Sequence, residues 1–424
     1  MDGAGFLTKT LILGYYFFVT KNILRTHGKF ESQGSFRTWI EISKSAVQKN
    51  IATFRKLIGP KTKLWAVVKS NAYGHGLVQF SKLAEKFKTD GFCVDSYVEA
   101  LRLRKEGVHK PILVLGPTLA ELAKDAASKD ITLSVSNFEI LKHLAQTKTP
   151  PKFHIKIDTG MSRQGFFLED IPRVIKYLTT HYSLLATNLQ GIYTHFASAK
   201  DTNYPTYTDN QFDKFNKAVK LFESARGGSL SARQAGSPGG KAIFPNLTKH
   251  VAATGGVLIN KKYHLDAVRI GIGLYGLWPA KELEIQQGNK IKLQPALSWK
   301  AVISEVKNIP AGQFVGYDLV ERVFRPTKIA VLPIGYWHGL PRSLSSAGEV
   351  LISDRRARIL GRVSMDLVVV DVTGIKCQVG DVATIIGKGQ KNEIKSFDVA
   401  QKAGTSHYEI ITRLNPLMER ILNK

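Results

Sequence analysis

A lysine at the end of an apolar segment is the residue of this chain that most directly indicates chemistry. Lys69 follows a β-rich run at residues 64–68 and opens the polar, glycine-containing loop SNAYGHG. Burial lowers the pKa of an amine, and a neutral amine can attack an aldehyde to form a Schiff base. By position alone, however, a lysine that lays its apolar stem along the strand end and keeps its ammonium in water is the simpler interpretation.

A glycine pattern further along the chain could indicate a phosphate site. Gly271, Gly273 and Gly276 match the GxGxxG motif of dinucleotide-binding folds. That interpretation fails because no helix clearly starts there, Pro279 follows closely, and no Asp or Glu stands between residues 285 and 304 to bind a ribose. Glycines that end a barrel strand instead expose backbone N–H groups, which suit a phosphate monoester.

The segments around these residues alternate between buried strand and helix. A short strand at residues 38–42 and a helix with Ser43 as its N-cap precede eight apolar, β-rich runs, most of them separated by helical periodicity. The runs lie at 64–68, 91–95, 111–115, 131–135, 153–157, 189–194, 250–253 and 267–272. This order predicts an α/β fold with parallel strands closed into a TIM (β/α)8 barrel. Chemistry is then expected at the carboxyl ends of the strands.

The chain divides into three parts by composition. Residues 1–35 form an N-terminal extension that we expect to be poorly ordered, and residues 36–291 form the barrel. Within the barrel, the Gly/Ser stretch at 224–240 indicates a flexible surface insertion. From residue 292 to 424, closely spaced strands separated by Pro and Gly turns predict a mainly β C-terminal domain, with a last helix near 396–403.

Composition limits the class of protein. The chain has 424 residues, 43% of them hydrophobic, and a net charge of +26 that is spread along the sequence. We interpret this charge as a basic surface without a specific nucleic-acid site. The apolar run at residues 11–19 is too short to span a bilayer, and the two cysteines suit a reducing compartment, so we expect a cytoplasmic protein without a transmembrane segment. The histidines form no ligand-spaced cluster with cysteine, so no metal is expected.

The segment AVVKSNAYGHG at 66–76 resembles the pyridoxal-phosphate attachment motif of the alanine racemases. The resemblance continues in order through further segments: KIDTGMSRQGF at 156–166, GIYTHFA at 191–197, VRIGIGLYG at 268–276, VGYD at 315–318, LPIGYWHG at 332–339, GRVSMD at 361–366 and YEI at 408–410. It covers about residues 36–414. It implies an enzyme that interconverts L- and D-alanine on pyridoxal 5'-phosphate and supplies D-alanine for peptidoglycan.

The resemblance also implies the catalytic pair. Lys69 matches the lysine that binds the cofactor covalently and acts as one base, and Tyr317 in VGYD matches the second base. Racemisation removes a proton from one face of the α-carbon and returns one on the other, so two groups must stand on opposite faces. A tyrosine has an ordinary pKa near 10, so the site must stabilise its phenolate, and His195 matches a neighbour that contributes to this.

Further matches concern the cofactor. Arg269 matches the arginine at the pyridine nitrogen of the cofactor, and His195 is expected to orient it. A guanidinium does not surrender its proton, so the pyridine nitrogen stays largely unprotonated. For the phosphate, the resemblance implies the backbone amides of Gly271 and Ile272 and the hydroxyl groups of Tyr73, Thr254 and Tyr408.

Substrate contacts are implied as well. Arg163 matches an arginine near the substrate carboxylate, and Met365 matches a methionine whose backbone amide helps to bind that group. Lys156 matches a lysine that is often carbamylated in this family, although it could instead form a structural ion pair with Asp158. The family forms a head-to-tail homodimer in which Tyr317 and Met365 of one subunit reach the barrel of the other.

A few positions depart from the family pattern and leave alternatives open. Ala253 replaces a common Asn, Trp337 and His338 replace a common Ala-Asp pair, and Ser364 stands where Cys is frequent. None of these changes removes a catalytic group, but they leave a broader amino-acid or serine racemase as the nearest alternative. A different class is a pyridoxal-phosphate carrier without catalytic activity, which the long C-terminal extension with Tyr317 argues against.

Overall fold

The computed structural model describes residues 36–180, 183–201, 204–225, 243–244 and 246–423. The predicted extension at residues 1–35 and most of the Gly/Ser stretch at 224–240 lie outside these ranges. Within them, no helix is long and apolar enough to cross a membrane.

The strand β1 (Thr38–Ser43) precedes a barrel of eight parallel strands, which confirms the predicted TIM barrel. Their spatial order is β8-β7-β6-β5-β4-β3-β2-β9. Each of the eight predicted runs overlaps one of them, although the run at 250–253 shares only His250 with its strand. The barrel closes where the end of β8 meets β9, through a parallel bridge between Ala253 and Arg269. The barrel strands are β2 (Lys63–Val67), β3 (Gly91–Val94), β4 (Ile112–Val114), β5 (Ile131–Val135), β6 (Phe153–Lys156), β7 (Leu189–Tyr193), β8 (Thr248–His250) and β9 (Ala267–Ile270).

Helices connect the barrel strands and cover their outer side. The first begins as predicted, because the Ser43 hydroxyl accepts a hydrogen bond from the Ala46 amide at 3.2 Å. The helices of this region are α1 (Lys44–Ile58), α2 (Leu77–Lys86), α3 (Tyr97–Lys105), α4 (Ala123–Ser128), α5 (Phe138–Gln146), α6 (Ile171–Thr180), α7 (Ser183–Asn188), α8 (Thr206–Ser224), α9 (Thr254–Ile259) and α10 (Lys281–Gln287).

A ten-stranded, mostly antiparallel sheet forms the C-terminal part. It contains β1 together with β10 (Leu297–Val302), β11 (Glu305–Ile309), β12 (Thr327–Leu332), β13 (Glu349–Ile352), β14 (Arg355–Leu360), β15 (Val368–Asp371), β16 (Val382–Lys388), β17 (Glu393–Ile394) and β18 (Glu419–Asn423), and two helices follow β17, α11 (Ser396–Ala403) and α12 (His407–Thr412). The strand β1 lies between β10 and β18. The division at residues 291 and 292 stays a prediction, but β1, which precedes it, belongs to the C-terminal sheet.

The inside of the barrel combines apolar and polar side chains. Trp65, Cys93 and three neighbouring side chains form a small buried cluster of their own. The Trp65 ring packs against the rings of His154 and His250, with centroids 5.5 and 4.9 Å apart. Buried polar side chains usually have hydrogen-bond partners. The partner of His250 is one buried cation, Arg269, which is described below.

Candidate active site

A cavity of about 520 Å³ opens at the carboxyl ends of the barrel strands. Ten of the twelve residues that sequence analysis selected line it: Lys69, Tyr73, Lys156, Arg163, His195, Thr254, Arg269, Gly271, Ile272 and Tyr408. The other two, Tyr317 and Met365, do not line it. They lie on the C-terminal part, where they are 69% and 54% exposed. In the described part of the chain, no group of three or more His, Cys, Asp or Glu side chains is arranged to hold a metal ion.

Lys69 stands at the start of an unusual turn. The next four residues, Ser70 to Tyr73, all have left-handed backbone angles, with φ between 51° and 55°. Glu99 holds this turn by accepting hydrogen bonds from the amides of Ser70 at 2.6 Å and Asp95 at 2.9 Å. The Lys69 ammonium lies 3.1 Å from the Asp95 carboxylate, and its side chain is 37% exposed. The desolvation expected from the sequence is therefore only partial, since an acidic partner and solvent both reach this amine.

The C-terminal segment packs against the same turn. Gly74 ends it at φ 81°, and a β-carbon there would lie 1.9 Å from the carbonyl oxygen of Ile411 in α12. Buried Arg420 of β18 donates two hydrogen bonds to the Gly74 carbonyl, at 3.2 and 3.1 Å. This contact places the rings of Tyr73 and Tyr408 6.2 Å apart at one side of the cavity. Sequence analysis did not identify this role of Arg420, because nothing near Arg420 in sequence indicates a partner 346 residues away.

Arg269 is the most deeply buried cation of the site, at 2% exposure. Its guanidinium donates to the Nδ1 atom of His250 at 2.6 Å and to the carbonyls of Thr194 and Val251 at 2.8 and 3.1 Å. The Nδ1 atom of His195 is 3.3 Å away. Burial without a carboxylate among these partners keeps the guanidinium fixed by neutral acceptors, which leaves its charge available to a bound molecule.

The histidines around Arg269 are neutral. Burial, together with the charge of Arg269, lowers the pKa of His195 to about 3 and that of His154 to about 3. Because Arg269 donates to His250 Nδ1, the His250 proton lies on Nε2, which is 2.8 Å from His154 Nδ1. Sequence analysis assigned the orientation of Arg269 to His195. The shorter contact belongs to His250, the first residue of HVAATGG, whose role was missed.

A cradle of hydroxyl and amide groups forms another part of the cavity wall. The Thr254 hydroxyl accepts hydrogen bonds from the amides of Gly271 at 3.2 Å and Gly273 at 3.3 Å. A β-carbon at Gly271 would lie 2.8 Å from the Tyr73 hydroxyl, so only glycine leaves this space open. Burial raises the pKa of Tyr73 and of Tyr408, which keeps both as neutral O–H donors. This donor set fits a phosphate monoester.

The end of β6 and the loop after it contribute two basic side chains, Lys156 and Arg163. Asp158 fixes this loop by accepting hydrogen bonds from four successive amides, including that of Arg163 at 2.9 Å. Lys156 instead places its ammonium 3.1 Å from the Gln164 side-chain oxygen. Burial and repulsion from Arg163 and Arg269 lower the pKa of Lys156 to about 8. The cavity therefore holds an amine with a lowered pKa near the Arg163 guanidinium.

Comparisons with known proteins match most of the chain to one family. The family model for the alanine racemase N-terminal domain matches residues 42–279, and that for the C-terminal domain matches residues 296–422. The alanine racemase of Leptospira interrogans serovar Lai is 35% identical over 407 residues, which are 93% of this chain and 98% of that protein. The alanine racemase of Methanococcus maripaludis is 36% identical over 388 residues, 90% of this chain and 98% of that protein.

Solved structures show the same similarity over the whole described fold. The crystal structure of alanine racemase from Bacillus anthracis with bound L-Ala-P superposes with a TM-score of 0.81 at 30% identity, covering 93% of this chain and 96% of that chain. The structure from E. faecalis gives 0.79 at 29% identity, covering 91% and 98%. Both domain models match in order, and ten of the twelve predicted residues line one cavity. The chain therefore belongs to the alanine racemase family.

Proposed function

We propose that this protein racemises alanine, interconverting the L and D forms with pyridoxal 5'-phosphate as cofactor. The observation that carries the proposal is the single cavity at the carboxyl end of the barrel, where a lysine, a buried arginine and a phosphate-type cradle lie together. Their chemistry suits a molecule with an aldehyde, a ring nitrogen and a phosphate monoester. Use of the D-alanine in peptidoglycan stays a prediction from the family.

The cofactor supplies an electron sink that lowers the barrier to removal of the α-proton. Lys69 would hold it covalently, and Asp95, 3.1 Å from the Lys69 nitrogen, orients that amine. Arg269 would donate to its ring nitrogen, and since a guanidinium keeps its proton, that nitrogen stays largely unprotonated. The amides of Gly271 and Ile272 and the hydroxyls of Tyr73, Thr254 and Tyr408 would bind its phosphate. His195, whose Nδ1 atom is 3.3 Å from the Arg269 guanidinium, lines the same cavity.

Proton transfer requires one base on each face of the α-carbon. Lys69 would be the base on one face of the α-carbon. We assign the other to Tyr317, which lies in the loop between β11 and β12 and is 69% exposed. Since Tyr317 does not line the cavity of its own chain, we propose that it enters the cavity of a second copy.

An exposed apolar surface supports a homodimer of this kind. Large apolar side chains are exposed on three neighbouring segments of the C-terminal part: Phe314, Tyr317, Leu319, Val320, Phe324, Tyr336, Trp337, Met365 and Leu367. The segments contact one another, because the Trp337 amide donates to the Met365 carbonyl at 3.0 Å and Arg362 pairs with Asp318 at 3.3 Å. Such a surface indicates a protein interface, and Tyr317 and Met365 lie within it.

Two basic groups would bind and orient the substrate. Arg163 would hold the amino-acid carboxylate together with the backbone amide of the partner's Met365. Lys156, with its pKa near 8, is proposed to be carbamylated, which would turn it into an anion that positions Arg163. Ala253 lines the same cavity, and the exposed Trp337 neighbours Met365, so these departures bear on substrate range.

Racemisation by the purified, cofactor-loaded protein tests the proposal. L-Alanine, L-serine and L-lysine are incubated separately, and the products are separated by chiral chromatography. D-Alanine as the dominant product is expected. Preference for serine or lysine would keep the mechanism but change the substrate, and no turnover of any of the three in the presence of bound cofactor would favour the carrier.

A further inference from the structure

His154 is a buried histidine that does not belong to the active-site cavity. It lies in β6, is 3% exposed and is absent from the cavity lining. Its ring packs inside the barrel against the rings of Trp65 and His250, with centroids 5.5 and 5.0 Å away. Because an unpaired imidazole nitrogen is unfavourable inside a protein, the hydrogen bonds of this ring indicate its role.

Two hydrogen bonds connect His154 with the buried cation of the active site. The Arg269 guanidinium lies 2.6 Å from His250 Nδ1, and His250 Nε2 lies 2.8 Å from His154 Nδ1. A guanidinium only donates, so His250 Nδ1 accepts, and the single N–H proton of the neutral ring lies on Nε2. His154 Nδ1 must therefore accept, and both hydrogen bonds run in one direction, from Arg269 through His250 to His154.

Both histidines are neutral, as this assignment requires. Burial and the charge of Arg269 lower the pKa of His154 to about 3 and hold the pKa of His250 well below its usual value. His154 keeps its own proton on Nε2, and this nitrogen is not among the described side-chain atoms that are buried without a partner. The direction of the two hydrogen bonds is therefore fixed by the charge state of the rings.

The surrounding residues hold both rings in place. The Tyr193 ring stacks on His250, with centroids 4.8 Å apart and an angle of 5° between the planes, and its hydroxyl donates to Ser134 at 2.8 Å. Gly191 leaves the space that His154 occupies, because a β-carbon there would lie 2.7 Å from His154 Nδ1. With rotation of the rings restricted in this way, the tautomer of His250 is the property that a neighbouring acceptor selects.

An acceptor at position 154 decides between the two tautomers of His250. Without it, the tautomer that accepts from Arg269 has a buried and unpaired Nε2–H group, which is unfavourable. The other tautomer directs an N–H group at the guanidinium, so two donors face each other. In either state the hydrogen bond between His250 and Arg269 is weakened, and the guanidinium is held less firmly.

We propose that His154 is a positioning residue: it fixes the tautomer of His250 and thereby holds Arg269 in place to donate to the ring nitrogen of pyridoxal 5'-phosphate. This role rests on the proposed function, in which Arg269 contacts that nitrogen. His154 does not line the active-site cavity, so its effect on the cofactor is transmitted through the two hydrogen bonds.

Two variants of similar shape separate the hydrogen bond from packing. His154→Asn places its side-chain oxygen close to the position of Nδ1 and can accept from His250, whereas His154→Leu has the same branching without an acceptor. The probes are pyridoxal 5'-phosphate and its 1-deaza analogue, in which a C–H group replaces the ring nitrogen and cannot accept from Arg269. The dissociation constants of both are measured with the full-length protein, freed of cofactor, from the absorbance change on titration.

The two probes are expected to respond differently. His154→Leu should weaken binding of pyridoxal 5'-phosphate about tenfold and binding of the deaza analogue less than about twofold, because only the former depends on how Arg269 is held. His154→Asn should bind both within about threefold of the unmodified protein. If His154→Leu does not fold, His154→Gln takes its place, because its amide lies one bond farther out, near the position of Nε2, and the same selective loss is expected.

Three results would overturn this role of His154. They are equal weakening of both probes in His154→Leu, which would indicate a packing role only, unchanged binding of pyridoxal 5'-phosphate in that variant, and an equal loss in His154→Asn and His154→Leu. Failure of the proposed function gives a different result. If the unmodified protein bound the two probes equally, Arg269 would not contact the ring nitrogen, and the proposed cofactor contact would be wrong together with the role of His154.

Discussion

At the scale of single residues, Arg269 shows how the barrel interior is built around one cation. Its guanidinium satisfies the His250 ring and the carbonyls of Thr194 and Val251 at once. Arg269→Lys keeps the charge but has fewer donors in a different geometry, so buried acceptors lose their partner. We expect a loss of about 2–4 kcal/mol in the free energy of unfolding, measured by urea denaturation of the cofactor-free protein.

The exposed cavity arginine provides the comparison for that measurement. Arg163→Lys makes the same substitution at an exposed side chain and should alter the free energy of unfolding by less than about 0.5 kcal/mol. If both variants unfolded at the same urea concentration as the unmodified protein, the buried network would not contribute to stability as described.

Lys156 leads to a prediction about modification. At pH 7 a pKa of about 8 leaves about a tenth of this amine neutral, whereas an ordinary lysine has less than about 0.1% neutral. The neutral nitrogen attacks dissolved carbon dioxide, forming an N–C bond and releasing a proton. With ¹³C-labelled bicarbonate, a carbamate resonance is expected that grows from pH 6 to pH 8 at fixed dissolved carbon dioxide, because the neutral fraction rises.

The variant Lys156→Met assigns that resonance. It removes the amine and should remove the signal, while the exposed Lys152, paired with Asp130, is retained. A resonance of unchanged intensity in this variant would assign the carbamate to another residue.

The sequence made most of the cavity residues predictable, but not the groups that hold them. Lys69, Arg269 and Gly271 fall in segments with recognisable motifs. Asp95, Glu99, His250 and Arg420 act through contacts with residues far along the chain, as in the 346-residue separation of Arg420 and Gly74. A local pattern contains no information on such pairs, because they form only when the fold brings two segments together.

At the scale of elements, the left-handed turn after β2 depends on how closely α12 approaches it. Gly74→Ala would place a β-carbon 1.9 Å from the Ile411 carbonyl oxygen, so α12 would have to move. We expect a loss of about 3 kcal/mol or more in the free energy of unfolding, together with weaker cofactor retention, because Tyr408 lies on the helix that moves. Thermal unfolding and the cofactor content after gel filtration measure the two effects.

Gly404, which ends α11, is a matched control for this substitution. It also has left-handed backbone angles, with φ 70° and ψ 32°, but a β-carbon there meets nothing within 4 Å. Gly404→Ala should therefore lower the free energy of unfolding only through the unfavourable backbone angles, by about 1–2 kcal/mol, and should leave the cofactor content unchanged. Equal losses in the two variants would mean that the contact with α12 does not constrain the turn.

The barrel could be predicted element by element, whereas the position of β1 could not. Buried parallel strands appear in the sequence as apolar runs, and each of the eight runs overlaps a barrel strand, that at 250–253 only through His250. The run that forms β1 looks the same in isolation. In the sheet, Thr38 of β1 pairs with Ala301 of β10. The two residues are so far apart in sequence that no local periodicity indicates this pairing.

At the scale of the whole molecule, the two groups assigned as bases are separated within one chain. Lys69 lines the barrel cavity, and Tyr317 lies exposed in an apolar surface of the C-terminal part. If a partner supplies Tyr317, a monomer has no complete site. We therefore expect racemase activity per subunit to fall on dilution in parallel with the dimer fraction from analytical ultracentrifugation. Constant activity in a sample that has become monomeric would contradict this arrangement.

Mixing two inactive variants tests the shared site directly. Lys69→Ala removes one base and Tyr317→Phe the other, so each homodimer should be inactive. In a mixed dimer, the Lys69 of the Tyr317→Phe chain faces the Tyr317 of the Lys69→Ala chain, which restores one of the two sites. After subunit exchange of equal amounts, about half of the dimers are mixed, so about a quarter of the unmodified activity should return. If each site used both bases from one chain, every site in the mixture would lack a base, and the activity would not exceed the sum of the separate variants.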